Sequence, residues 1–147
     1  MSGLTSRNKG KRGEREIVHL LQPVIDEVYA SSGIQIPVLQ RNTIQSDRGG
    51  FDIVGLDWLA IEVKHQEQNN VNGWWEQTQR QAGKKMPVLF YRRNNVAWRV
   101  RTTGVIHHTT CNAAYACCVV DIAADDFLIY FRNRLLEELV PEMALAK

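Results

Sequence analysis

From Gly13 to about Tyr29 the apolar residues Ile17, Leu20, Leu21, Val24 and Val28 recur at helical intervals, which gathers them on one face of a helix. Pro23 is the awkward position in it. A proline withholds one hydrogen bond and collides with the preceding turn, so it either bends the helix or starts a second helical piece. The pattern then changes. IQIPVLQRN, GGFDIVGL and WLAIEVK are rich in β-branched residues and are separated by turn-forming Ser-Asp-Arg-Gly-Gly and Leu-Asp-Trp, which predicts three strands, the last two as a hairpin.

Asn72 can cap a helix through WWEQTQRQAGKK. PVLFYRR and VAWRVR then read as two strands around Asn94-Asn95, and ACCVVDI as another. In DDFLIYFRNRLLEEL, Phe127, Leu128, Phe131, Leu135 and Leu139 share one helix face, and the helix is expected to end at Pro141. This broad apolar stripe covers either the sheet or a partner subunit. The order α, three strands, α, two or three strands, α predicts an α/β fold, a mixed central sheet with helices on its faces.

A chain of 147 residues is the usual size of one domain and can bury a core without a disulfide or metal staple. Apolar residues at 44% and charged residues at 23% exclude a disordered or collagen-like chain. No window is apolar enough to cross a membrane, and the polar start MSGLTSRNKGKRGERE lacks the apolar run of a signal peptide, so a soluble, cytoplasmic protein without a membrane partner is expected. Cys111, Cys117 and Cys118, odd in number and crowded together, form a poor disulfide framework and fit a reducing compartment. The net charge of +2 is unevenly spread: Arg7, Lys9, Lys11 and Arg12 precede the first acid. We therefore expect residues 1–12 to be a flexible basic arm on a single domain of residues 13–147, with an anionic partner such as nucleic acid or, equally, only solvent around the arm.

The chemistry is concentrated in the strand Ala60-Ile61-Glu62-Val63-Lys64. Side chains alternate along a strand, so Leu59, Ile61 and Val63 point one way while Glu62 and Lys64 point the other. On the preceding strand Asp52 can meet Glu62 if the hairpin register is right. Two carboxylates side by side repel unless one is protonated or a cation lies between them. On the first helix Glu14 falls close to the centre of the apolar stripe and Glu16 well away from it, which makes Glu14 a third acid aimed at the sheet. A buried carboxylate there needs a partner, and a metal cluster or Lys64 would serve.

Glu14, Asp52 and Glu62-Val63-Lys64, in the order helix, strand, strand, resemble the PD-(D/E)XK nuclease superfamily. KGKRGEREIVHLL followed by GGFDIVGL and AIEVKHQ is similar to archaeal Holliday junction resolvases and related phage endonucleases, over about residues 9–92. Two departures stand out: Phe51 replaces the proline that often precedes the aspartate, and residues 30–50 are longer than in the compact archaeal version.

The resemblance implies a restriction-endonuclease-like domain acting as a metal-dependent DNA endonuclease. Asp52, Glu62 and the main-chain carbonyl of Val63 would offer oxygen ligands to Mg²⁺, with Mn²⁺ as a substitute, and Glu14 would complete or orient that shell. Lys64 would position the attacking water and neutralise charge on the phosphorane. Branched DNA is the expected substrate. A resolvase cuts two strands symmetrically, so the resemblance also implies a homodimer.

Other residues carry weaker expectations. Lys9, Lys11, Arg12 and Arg15 are placed to touch phosphates near Glu14, and Arg92 and Arg93 form a second candidate clamp. Gln77, ahead of Gln79, resembles a glutamine that several nucleases of this superfamily place near the metal and the DNA. Trp74 and Trp75 either stack on an unpaired base or pack in a core, and packing is the commoner fate. His107, His108, Cys111, Cys117 and Cys118 match no paired zinc spacing. Two rival readings remain: an end-processing or nicking nuclease with the same site, and a DNA-binding module in which the acids merely form salt bridges with Lys64 and Arg15.

Overall fold

The computed structural model describes residues 3–44, 50–107 and 115–145. Helix α1 (Gly3–Tyr29) leads through two short strands, β1 (Gln40–Arg41) and β2 (Ile53–Val54), to β3 (Leu59–His65). Helix α2 (Val71–Ala82) crosses to β4 (Met86–Arg92), β5 (Arg99–His107) and β6 (Tyr115–Ala123), and α3 (Ala124–Leu145) closes the chain. The six strands lie in sequence order, with β3 and β4 parallel and every other neighbouring pair antiparallel. This is the mixed sheet with flanking helices that the patterning predicts.

The two faces of the sheet differ in character. Ile61, Val63, Val88, Phe90 and Val100 point into a core completed by Ile17, Leu21 and Ile25 of α1 and Phe127, Phe131, Leu135 and Leu139 of α3. The intervening positions face the other way, where Leu89 packs with Trp74 and Trp75 of α2. Alternation along β3 therefore gives Leu59, Ile61 and Val63 to the α1/α3 side and turns Glu62 toward α2.

Several boundaries differ from the sequence expectation. The basic residues do not precede the first helix: α1 begins at Gly3 and carries them on its opening turns. Arg and Lys are good helix formers, and Arg12 pairs with Glu16 one turn on, so nothing stops the helix before Gly13. Strand pairing around residue 40 is limited to Gln40 and Arg41 because Gln22 of α1 captures the adjoining backbone, accepting from the Leu39 N–H and donating to the Pro37 carbonyl. The cap of α2 is Asn70 rather than Asn72, its side chain accepting from Gly73 N–H. Helix α3 does not stop at Pro141 but continues to Leu145, and Pro23 likewise lies inside an unbroken α1. Both prolines are exposed, so the carbonyl each leaves unbonded can be hydrated.

Gly55 closes the turn after β2 with φ 136°, and a Cβ there would lie 2.5 Å from the Val38 carbonyl oxygen. Gly55→Ala should cost at least about 2 kcal/mol, through both the backbone conformation and this clash. Urea unfolding of the two proteins checks this, and an unchanged midpoint would contradict the close approach.

Candidate active site

The register of the β2–β3 hairpin decides which side chains meet. Ile53 pairs with Ile61, so Asp52, one residue earlier, stands opposite Glu62, one residue later. β2 ends there as a paired strand, leaving the Val63 N–H without a strand partner on that edge, and the Asp52 carboxylate accepts it at 2.8 Å. A strand residue points its N–H and C=O to the same edge, so the Val63 carbonyl also faces the Asp52 side.

Glu62 is 3% exposed and Asp52 8%. Lys64, two residues along and on the same face, places its ammonium 2.7 Å from Glu62 Oε1, and Gln77 of α2 donates to that oxygen at 3.4 Å. Glu62 Oε2 is buried with no hydrogen-bond partner among the described residues. Burial and the neighbouring Glu62 charge push the Asp52 carboxyl up to about 7, against which the Val63 N–H and Lys64 act. Burial also raises Glu62, offset by Lys64.

Gly13 lets α1 close on the sheet: a Cβ there would meet Trp98 at 3.2 Å and Val63 and His65 at 3.4 Å. The next residue, Glu14, is thereby delivered to the same corner, near enough for its charge to raise both Asp52 and Glu62. Its carboxylate is held by the Arg41 guanidinium, with both side chains largely buried. Arg41 is the residue that sequence reasoning missed. It lies in IQIPVLQRN, read only as a strand, and nothing in that pattern reports a partner 27 positions away.

Glu16, set apart from Glu14 on the helix wheel, has a separate task. It accepts from Trp98 Nε1 and pairs with Arg92, whose guanidinium lies over the Trp98 ring, fastening α1 to the far end of β4 and the start of β5. Arg92 is thus engaged in structure, while Arg93 is exposed.

Of the phosphate-contact candidates, Lys11 and Arg15 are exposed and make no ion pair among the described residues. Lys9 approaches Glu67 at 3.9 Å and Arg12 pairs with Glu16. Trp74 and Trp75 are buried against Leu89, so they pack and are not free to stack on a base. His108 and Cys111 lie outside the described residues. Cys117 is an exposed free thiol and Cys118 a half-buried one.

Among the described residues no three His, Cys, Asp or Glu side chains form a ready metal-ligating group. The donors at this corner suit a hard cation nonetheless. Magnesium typically takes one or two carboxylates and fills its remaining positions with water and phosphate oxygens. Two adjoining buried carboxylates, one with an unpartnered oxygen, and a carbonyl on the same edge make such a set.

The raised Asp52 pKa has a consequence for stability. The folded protein binds the proton more tightly than the unfolded chain, whose carboxyl titrates near the usual 3.8, so stability falls as pH rises between about 4 and 7. In chelator, the melting temperature should decline from pH 5 to 7.5 in the wild type and much less in Asp52→Asn. Equal slopes would show that the two carboxylates do not share one buried corner.

Comparison with known proteins gives a family match: the family described as "Phage putative PDDEXK endonuclease" covers residues 5–123. Among solved structures, the chain is similar to the 1.6 Å structure of Archaeoglobus fulgidus Hjc, a Holliday junction resolvase from an archaeal hyperthermophile. The TM-score is 0.42 at 18% identity, over 80% of this chain and 85% of that one. No curated protein matches the chain.

Proposed function

The chain belongs to the phage PDDEXK endonuclease family, and we propose that it is a metal-dependent DNA endonuclease of restriction-endonuclease-like fold that hydrolyses phosphodiester bonds in branched DNA. The observation that carries this reading is the pairing of buried Asp52 with buried Glu62 beside the Lys64 ammonium, with one Glu62 oxygen unpartnered. A core gains nothing from such a cluster, because burying like charges is costly unless one is protonated or a cation is bound between them.

Asp52, Glu62 and the Val63 carbonyl would hold the ion, with Glu14 completing or orienting that shell. When bound, magnesium, or manganese in its place, polarises the scissile phosphate and lowers the pKa of the attacking water. Lys64 then holds the water and neutralises the charge that develops on the phosphorane. Gln77 steadies the Glu62 carboxylate through its amide. Water attacks phosphorus and the P–O3′ bond breaks, leaving 5′-phosphate and 3′-hydroxyl ends. Lys11 and Arg15 take phosphates beside the Glu14 corner, with Lys9 and Arg12 able to join them by exchanging their present acidic partners.

Branched DNA is proposed from the motif resemblance to junction resolvases, and symmetric cutting of two strands calls for a two-fold homodimer. The test uses labelled four-way junction, linear duplex and single strand, with and without Mg²⁺. Asp52→Asn, Glu62→Gln and Lys64→Ala should each lower cleavage by at least about 100-fold while leaving junction affinity largely intact. Cleavage of ends with the junction ignored would overturn the substrate. DNA binding with no Mg²⁺-dependent cleavage in the wild type would overturn the nuclease and leave a binding module.

A second measurement addresses the helix. Removing both Lys11 and Arg15 as alanines should weaken binding to all sequences alike and reduce the salt slope of log K by about 2. An unchanged slope would remove α1 from the DNA interface.

A further inference from the structure

Helix α3 is apolar on two sides. Phe127, Phe131, Leu135 and Leu139 fill the core, and each is at most 5% exposed. On the other side Ile129 and Val140 are about two-thirds exposed, at 64% and 66%, and Leu136 and Met143 remain 39% and 40% exposed. With Asn133, also exposed, these residues fall at 129, 133, 136, 140 and 143. The intervals of four, three, four and three are those of a coiled-coil seam, with Ile129, Leu136 and Met143 at d and Asn133 and Val140 at a.

The occupant follows from the chemistry of the seam. At the Leu136–Val140 step leucine at d meets a β-branched residue at a, the combination that favours two strands, and a single asparagine at a fixes register and oligomer state by meeting a like residue across the pair. The flanking charges agree. Arg132 is a g position and Glu137 the e position five residues later, the two that meet across a parallel pair. Two-fold symmetry would make that contact twice, whereas an antiparallel pair sets g beside g and e beside e and so does not bring Arg132 to Glu137. Within the protomer Arg132 holds Glu27 at 3.1 Å and Glu137 holds Arg134 at 3.7 Å, with Glu27 and Glu137 well exposed and so readily exchanged.

We propose that α3 pairs with α3 of a second copy of this chain as a parallel, two-stranded coil. This gives the two-fold assembly of the proposed function a surface, and to that extent rests on the same reading. α3 packs on the core side of the sheet, opposite the α2 side that Glu62 faces, so the pairing leaves Asp52, Glu62 and Lys64 of both copies open to DNA. A seam of two heptads is small beside the roughly 1,200–2,000 Å² of a stable interface, so the dimer is reversible and concentration-dependent.

The test is sedimentation equilibrium of the full chain without DNA, across the micromolar range. The wild type should pass from monomer to dimer. Leu136→Glu should raise the dissociation constant by at least about 100-fold, with the circular-dichroism melt of the monomer preserved because the side chain is half exposed. Arg132→Glu and Glu137→Arg should each weaken association, and the double swap should restore it. With Cys111, Cys117 and Cys118 replaced by serine, Asn133→Cys should give a disulfide-linked dimer on mild oxidation, because position 133 meets itself only in a parallel pair. A wild type that stays monomeric, a dimer that survives Leu136→Glu, or a double swap that fails to restore pairing would overturn the proposal. None of these readouts uses cleavage, so their failure is distinguishable from failure of the nuclease reading.

Discussion

The structure turns on one electrostatic conflict: two carboxylates, Asp52 and Glu62, are buried side by side where a hairpin stops pairing. Each would be cheaper in water, and together they repel. What holds them is local. The Val63 N–H goes to Asp52 instead of to a strand neighbour, and Lys64 reaches back to Glu62 along its own strand face. Neither contact satisfies the corner completely, since Glu62 Oε2 has no partner among the described residues and the Asp52 carboxyl is pushed up to about 7. The shortness of β2 is part of this arrangement. A longer strand would have used the Val63 N–H in its own ladder and closed the edge on which that residue's carbonyl lies.

The remainder of the fold supports the conflict. The α1/α3 side of the sheet carries almost all of the apolar core, which leaves the α2 side free to hold Glu62, Lys64 and Gln77 beside the Trp74–Trp75–Leu89 cluster, Leu89 being the cross-strand neighbour of Glu62. Gly13 brings α1 near enough to place Glu14 at the corner, and Glu16 anchors the same helix through Arg92 and Trp98. Two glutamates two residues apart on one helix thus do different work because they face different neighbours. Arg41 holds Glu14, so the third acid is fixed beside the other two, where its charge still raises both of them.

The legible part of this was the periodic part. Alternation along β3 identified the face of Glu62 and Lys64, the helical wheel separated Glu14 from Glu16, and the mixed sheet followed from the order of elements. Asp52 opposite Glu62 followed once a hairpin was assumed, because register in a hairpin is counted from its turn. What the pattern did not carry were contacts between distant segments. Gln22 bonding the backbone at residues 37–39 shortened a strand that composition alone would extend, and Arg41 reaching Glu14 made a partner that no local spacing encodes. Proline misled at the end of α3 for the opposite reason: the rule that it ends helices assumes a carbonyl with nowhere to go, and an exposed one has water.

Helix α3 shows how far a single stripe can be read. The stripe through Phe127, Phe131, Leu135 and Leu139 explains the packing of the helix on the sheet, yet it leaves Ile129, Leu136, Val140 and Met143 on the opposite side with no reason within one protomer to be apolar. A surface helix ordinarily spends its polar residues on its outer face. Between Ile129 and Met143 the outer row holds no charge: Arg132 and Glu137 stand on its flanks, and an uncharged asparagine is set within it. Solubility of a lone protomer would favour the reverse distribution. The same helix therefore fills the core along one row and presents a second, narrower row outward, and the proposed pairing rests on the second row alone.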